Sequence, residues 1–186
     1  WLMSRTPPQW PDRVANSPAP KPVDCVAGDS IRATLIGHAT VLLQVGGLNI
    51  VTDPIWSDTA GPVSWLGVRR RRPPAIAFDD LPRIDVILLS HTHYDHLDRP
   101  TLRMLERRDK PLVLTGLNVG AVAPCQTVIE LDWWQRHALS GGIAATFVPA
   151  EHASARGPFD RNTRLWGGFV IETSAGVIYF AGDTGD

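Results

Sequence analysis

Ile84-Asp85-Val86-Ile87-Leu88-Leu89-Ser90-His91-Thr92-His93-Tyr94-Asp95-His96 is the stretch on which the reading of this chain turns. Its first part, through Ser90, is a short apolar run of the kind that forms a buried strand. Directly after it, three imidazoles and a carboxylate fall within six residues. Neutral imidazole and carboxylate are the ligands that zinc and similar first-row ions take. Without a cation, a strand would deliver these polar groups to a pocket edge with nothing to draw them together. His91 and His93 are two residues apart, as are His93 and Asp95, so an extended or loop backbone can serve two adjacent ions. A surface loop that happens to be histidine-rich is the plain alternative, and four potential ligands in one loop argue against it.

Composition sets the bounds. At 186 residues, with 44% apolar and 20% charged residues, the chain has the make-up of a soluble domain with a real core. A net charge of −1 gives no global pull toward nucleic acid or an anionic membrane. No apolar run approaches the roughly 18 residues that span a bilayer. Because the chain begins at Trp1 and not Met, a removed N-terminal signal stays open, and the expected location is cytoplasmic or peripheral to a membrane. Cys25 and Cys125 lack partners at metal-site spacing, so two free thiols are expected, in keeping with a reducing compartment.

Residues 1–24, with Pro7, Pro8, Pro11, Pro18, Pro20 and Pro22, read as an extended lead-in that either lies over the domain, where Trp1 and Trp10 could pin it by packing, or is partly disordered. Residues 25–186 form the domain proper. Strands are expected over 31–36, 40–45 and 48–52, the last two joined by the Gly46-Gly47 hairpin turn. Residues 53–83 read as loop. After the strand over 84–90 and the histidine loop, a helix is expected from Arg99 to Arg108. Asp98 serves as its N-cap, Pro100 lies in its first turn, and Leu102, Met104 and Leu105 form its buried stripe. Strands over 111–115, 128–131, 143–148, 165–173 and 177–181 follow, with a short helix over 117–123. Strands interspersed with helices give an α/β or α+β class, and periodicity alone does not choose the topology.

His-x-His-x-Asp-His after an apolar strand resembles the metallo-β-lactamase superfamily. Gly37-His38-Ala39-Thr40-Val41, Thr52-Asp53-Pro54-Ile55, Pro82-Arg83-Ile84-Asp85, Leu131-Asp132-Trp133-Trp134 and Phe180-Ala181-Gly182-Asp183-Thr184-Gly185 resemble the N-acylphosphatidylethanolamine-hydrolysing phospholipase D branch and its bacterial relatives. The resemblance runs from about residue 31 to the C-terminus. It implies a four-layer αββα sandwich with the metals at one edge.

The resemblance also implies roles. His91 and His93 would bind the first ion with His152, which read alone is a surface or capping histidine. Asp95 and His96 would hold the second ion. Asp183, in isolation a turn residue after glycine, would bridge both, and Asp95 and Asp183 would be the catalytic carboxylates. The family adds one more histidine beyond the bridging aspartate, whereas this chain stops at Asp186. The expectation is a C-terminally truncated domain whose second ion is one protein ligand short. Asp53 is either a carboxylate that fixes an imidazole tautomer from behind or a turn cap before Pro54. His38 has a supporting or substrate-side role, or a structural hydrogen bond. His137, among polar neighbours, is expected in solvent.

Arg69-Arg70-Arg71-Arg72 is a solvated run or a phosphate-recognition element, since arginine's fork matches phosphate oxygens. Trp56, Trp65 and Leu66 offer apolar surface for an acyl chain or membrane, and Trp133, Trp134 and Trp166 are read as packing. The function expected is a binuclear, metal-dependent phosphodiesterase of phospholipase D type, acting on N-acylphosphatidylethanolamine-like lipids by metal-activated hydroxide. Zinc is the favoured ion, with iron or manganese accepting the same ligands. A lactonase or other ester or amide hydrolase is the competing enzyme. A non-catalytic lipid- or nucleic-acid-binding module is the third reading, with nucleic acid disfavoured by the charge. A serine-hydrolase alternative lacks its Gly-x-Ser-x-Gly elbow.

Overall fold

Among the described residues two β-sheets pack together, with one α-helix on the outer face of the larger sheet and a separate two-stranded hairpin beside it. A computed structural model describes residues 11–16 and 20–185. The expected anchoring by Trp1 and Trp10, and the prolines at 7, 8 and 18, lie outside the described residues.

Three antiparallel strands open the larger sheet: β1 (Ile31–Gly37), β2 (Thr40–Val45) and β3 (Leu48–Thr52). Gly46 and Gly47 turn the β2–β3 hairpin with φ of 55° and 80°, a conformation in which a side chain is disfavoured. The sheet then continues in parallel through β6 (Val86–Leu89), β7 (Leu112–Gly116) and β8 (Val128–Leu131), in the order β1-β2-β3-β6-β7-β8. Helix α1 (Arg99–Arg108) lies between β6 and β7 in sequence. The second sheet is wholly antiparallel: β9 (Arg136–Ala138), β10 (Ala144–Val148), β11 (Gly168–Thr173) and β12 (Gly176–Phe180), in the order β12-β11-β10-β9.

Period-two alternation splits the apolar residues between two cores. Leu42, Val51, Ile87 and Leu89 face Leu102 and Leu105 of α1. Their neighbours Leu43, Ile50 and Leu88 face Phe147, Phe169 and Ile171 of the second sheet. Both faces of β6 are therefore covered, which is why residues 86–89 are apolar without interruption. Among the described residues no helix covers the outer face of the second sheet, where Val177 and Tyr179 of β12 are exposed.

Several expectations change. Residues 53–83 contain a further hairpin, β4 (Thr59–Val63) and β5 (Leu66–Arg69), joined in an irregular register. Its glycines hid it, yet they are required there. A Cβ on Gly61 would sit 1.9 Å from the Leu66 carbonyl oxygen, and one on Gly67 would sit 2.1 Å from that of Ala60. Residues 117–123 form successive turns, not a helix. Met104 is exposed, leaving Thr101, Leu102 and Leu105 as the buried face of α1. Asp98 occupies the N-cap position without capping. Its carboxylate instead accepts from the hydroxyls of Ser57 and Thr101, and so ties α1 to the segment before β4. Trp56 is partly buried, packs on the core and donates Nε1 to Ile76 O, whereas Trp65 is 82% exposed. His137 is half-buried on β9, opposite Ala145, and not free in solvent.

Cys25 and Cys125 are both free, and burial, followed by the charge of Glu106, pushes the Cys125 thiol up to about 12. The reactive species is the thiolate. At pH 8 iodoacetamide should therefore label Cys25 and spare Cys125 in the folded chain; equal labelling rates would contradict this packing. Leu102→Ala should cost about 2–5 kcal/mol in urea unfolding. Met104→Ala should stay within about 0.5 kcal/mol, and a larger effect would return Met104 to the core.

Candidate metal centre

The parallel pairing of β3 with β6 sets the ends of both strands side by side, Thr52 opposite Leu88. Residues following the carboxyl ends of parallel strands line a crevice, where sites commonly form. Asp53 follows β3 and is fully buried, with its amide on Leu88 O at 2.9 Å and φ of 33°. Aspartate tolerates this left-handed region better than most residues. Its carboxylate accepts the Ser90 amide at 2.8 Å, the Ser90 hydroxyl at 2.5 Å and His96 Nδ1 at 2.7 Å.

These bonds fix two tautomers. The Nδ1 hydrogen of His96 points to Asp53, which leaves Nε2 bare. The Ser90 hydroxyl spends its hydrogen on Asp53, so at 2.8 Å it accepts from His91 Nδ1, again leaving Nε2 bare. Between its two sequence readings, Asp53 is thus a carboxylate that orients imidazoles, not a turn cap.

The bare His91 Nε2 lies 2.8 Å from His93 Nδ1 and 3.2 Å from His152 Nε2, and the last two atoms are 3.2 Å apart. Ligands about 2.0–2.1 Å from a tetrahedral ion are separated by about 3.3–3.4 Å, so this triangle fits one ion. Asp183 Oδ2 stands 3.7 Å from His152 Nε2 and 4.0 Å from His91 Nε2. Its other oxygen, Oδ1, is 3.2 Å from His96 Nε2. One carboxylate therefore faces two groups: His91, His93 and His152 on one side, and His96 with Asp95 and His38 on the other. His38 Nε2 is 2.9 Å from Asp95 Oδ2 and 3.3 Å from His96 Nε2.

Electrostatics match this crowding. Burial, reinforced by His96, His93 and His152, lowers His91 to about 2, so it stays neutral and able to ligate. Burial and His152 likewise lower His93. Burial would lower His96 too, but the hydrogen bond and charge of Asp53 prevail and raise it. Asp95 is held below the usual carboxylate range, chiefly by its hydrogen bond with His38.

Glycine and a clamp complete the site. Gly182, with φ of 65°, lets the chain after β12 pass Ser90; a Cβ there would come within 2.6 Å of Ser90 Cβ. Arg156, unforeseen from sequence, donates Nη1 to Thr92 O at 2.9 Å and to Leu97 O at 2.8 Å, and so brackets the histidine loop. Its guanidinium lies 4.2 Å from the Tyr94 ring centroid, and Tyr94 returns its hydroxyl to Arg156 O at 2.5 Å. An arginine four residues past His152 carries no motif, so only the fold reveals it. Ser90 had one faint signal, a lone polar residue ending an apolar strand.

The arginine run divides. Arg70 is half-buried, donating Nη2 to Ile55 O and Nε to Ser57 O, whereas Arg71 pairs with Asp12 at 2.8 Å. Arg69 and Arg72 are exposed. All four line a cavity of about 590 Å³ that also reaches His38, His93 and Asp95. Among the described residues no helix is long and apolar enough to cross a membrane.

A family model described as "Beta-lactamase superfamily domain" matches residues 48–186. Over 165 residues the chain is 39% identical to N-acyl-phosphatidylethanolamine-hydrolyzing phospholipase D 1 of Caenorhabditis elegans, covering 82% of this chain and 46% of that protein. It is 34% identical over 161 residues to the mitochondrial N-acyl-phosphatidylethanolamine-hydrolyzing phospholipase D of Saccharomyces cerevisiae, covering 82% of this chain and 34% of that one. The chain thus spans less than half the length of either relative. Among solved structures, Igni18, a metallo hydrolase from Ignicoccus hospitalis, superposes with a TM-score of 0.62 at 21% identity, covering 84% of this chain and 62% of its own. That likeness is one of fold.

Replacing Asp53 by asparagine supplies an amide that cannot accept from all three donors. Metal affinity should fall about 10–100-fold, read by competition with a chromophoric chelator. Unchanged affinity would show that Asp53 does not govern the ligand tautomers.

Proposed function

The chain belongs to the beta-lactamase superfamily, and on that premise we propose that it is a metal-dependent hydrolase of phosphodiesters in N-acylphosphatidylethanolamine-like phospholipids. The observation that carries this reading is the pairing of two ligand groups about Asp183 with an arginine-lined cavity opening onto them. The identity with the worm and yeast phospholipases supports the substrate class.

In this reading His91, His93, His152 and Asp183 hold the first ion, and Asp95, His96 and Asp183 hold the second. Their nitrogen and oxygen donors suit zinc, and iron or manganese would take the same set. When bound, two such cations supply Lewis acidity that brings the pKa of water toward neutrality and stabilises charge on phosphate oxygens. The protein does the rest. Asp53, acting directly on His96 and through Ser90 on His91, holds the hydrogen of each neutral ring on Nδ1 and leaves Nε2 as the atom that faces an ion. Asp95 remains ionised at the cavity mouth, where its carboxylate can orient the attacking water, whose proton passes on to the departing alkoxide. Arg70, held by Ile55 O and Ser57 O, presents a fixed guanidinium toward the phosphodiester. Water oxygen bonds to phosphorus, the bond to the alcohol oxygen breaks, and the departing alkoxide takes up a proton. Trp65, Leu66 and Val68, exposed on the hairpin that borders the cavity, supply the apolar contact that lipid chains or a membrane surface would meet.

N-palmitoyl-phosphatidylethanolamine in mixed micelles, with products read by mass spectrometry, tests the proposal. Zinc-dependent release of the N-acylethanolamine is expected, with inhibition by inorganic phosphate and loss of turnover in His93→Ala. Turnover of a lactone without phosphate inhibition, and no cleavage of the phospholipid, would transfer the site to ester hydrolysis.

A further inference from the structure

We infer that His38 is itself a ligand of the second ion, through Nε2. The inference rests on the metal-dependent reading above and concerns which residues complete that centre.

His38 Nε2 meets Asp95 Oδ2 at 2.9 Å and His96 Nε2 at 3.3 Å. His96 Nε2 in turn meets Asp95 Oδ2 at 3.6 Å and Asp183 Oδ1 at 3.2 Å. These four separations scatter about the roughly 3.3–3.4 Å edge of a tetrahedron with ligands about 2.0–2.1 Å from its centre. The His38 and His96 rings meet edge-on, at 63° and 4.9 Å between centroids, so their nitrogens converge while their faces do not stack.

Protonation of His38 would satisfy Asp95 alone. It would leave the His96 nitrogen, bared by Asp53, directed at the same volume with no partner there. One cation satisfies His38, Asp95 and His96 at once, with Asp183 Oδ1 3.2 Å from His96 Nε2.

The backbone supports the assignment. His38 adopts φ of 53° immediately after Gly37 at 152°. A non-glycine residue in this region is uncommon and strained, and it persists only where the surroundings fix it. Here the surroundings do so: the Thr52 hydroxyl donates to Ala39 O at 2.7 Å, and the Thr40 hydroxyl donates to Asp53 O at 2.7 Å. The turn that aims His38 is therefore tied to the strand end that carries Asp53. With His38, three side chains, His38, Asp95 and His96, converge on the second position, and Asp183 approaches it beside His96.

Titrating the metal-depleted chain with cobalt(II) tests this, reading visible absorption during the titration and metal content after desalting. Glycine accepts a φ of +53° without strain, so His38→Gly removes the imidazole and keeps the turn; His38→Asn, also tolerant of that φ, is the second variant. Two equivalents are expected in the unaltered chain. Both variants should retain one equivalent and bind the second at least about 10-fold more weakly, and added imidazole should restore it in His38→Gly. Two equivalents bound with unchanged affinity by both variants would overturn the inference. So would an unaltered chain that takes up only one ion. Uptake of none by the unaltered chain would instead overturn the metal-dependent reading itself.

Discussion

The Asp53 carboxylate is the constraint on which the rest of the site depends. It is wholly buried and ionised groups are costly to bury, yet it collects an amide, a hydroxyl and an imidazole N–H from Ser90 and His96 in the segment after β6. Those bonds carry a direction. Two of them leave the far nitrogen of a neutral histidine without hydrogen, that of His96 directly and that of His91 through the Ser90 hydroxyl. A single carboxylate thereby sets the protonation pattern on both sides of Asp183.

The fold exists to bring that pattern into register. Parallel pairing of β3 and β6 puts Asp53 beside Ser90. The passage of Gly182 over Ser90 brings Asp183 from the second sheet onto the histidines of the first. His152 arrives from the end of β10, its loop held by Trp166 Nε1 on Ala150 O and by the Glu151 amide on the Thr184 hydroxyl. Arg156 then closes over the histidine loop from outside. Residues 91–96 carry no regular secondary structure, so these backbone ties keep the loop from relaxing away from its ligand geometry.

Much of this was legible because the signals were local. Strand, loop and helix over 84–108 follow from an apolar run, a histidine cluster and a proline at the first helical turn, and the helix bounds Arg99–Arg108 match. The β2–β3 hairpin was legible from Gly46-Gly47. The β4–β5 hairpin was not, because Gly61 and Gly67 read as loop while serving a close backbone crossing that no pattern encodes. Residues 117–123 had helical composition, yet the chain spends them on turns between β7 and β8. In the site, His91, His93, Asp95 and His96 announced themselves by spacing, whereas His152 and Asp183 needed the family resemblance. Arg156 carried no sequence signal, Ser90 only a faint one and His38 an undecided one, because their contacts cross 37 to 64 residues of sequence.

The most direct test of the account is the metal content of the purified chain, measured by elemental analysis without added metal. About two first-row ions per chain are expected from two donor groups that share Asp183. A chain that carries none, and takes up none on dialysis against zinc, would contradict the claim that these histidines and carboxylates are gathered to hold metal.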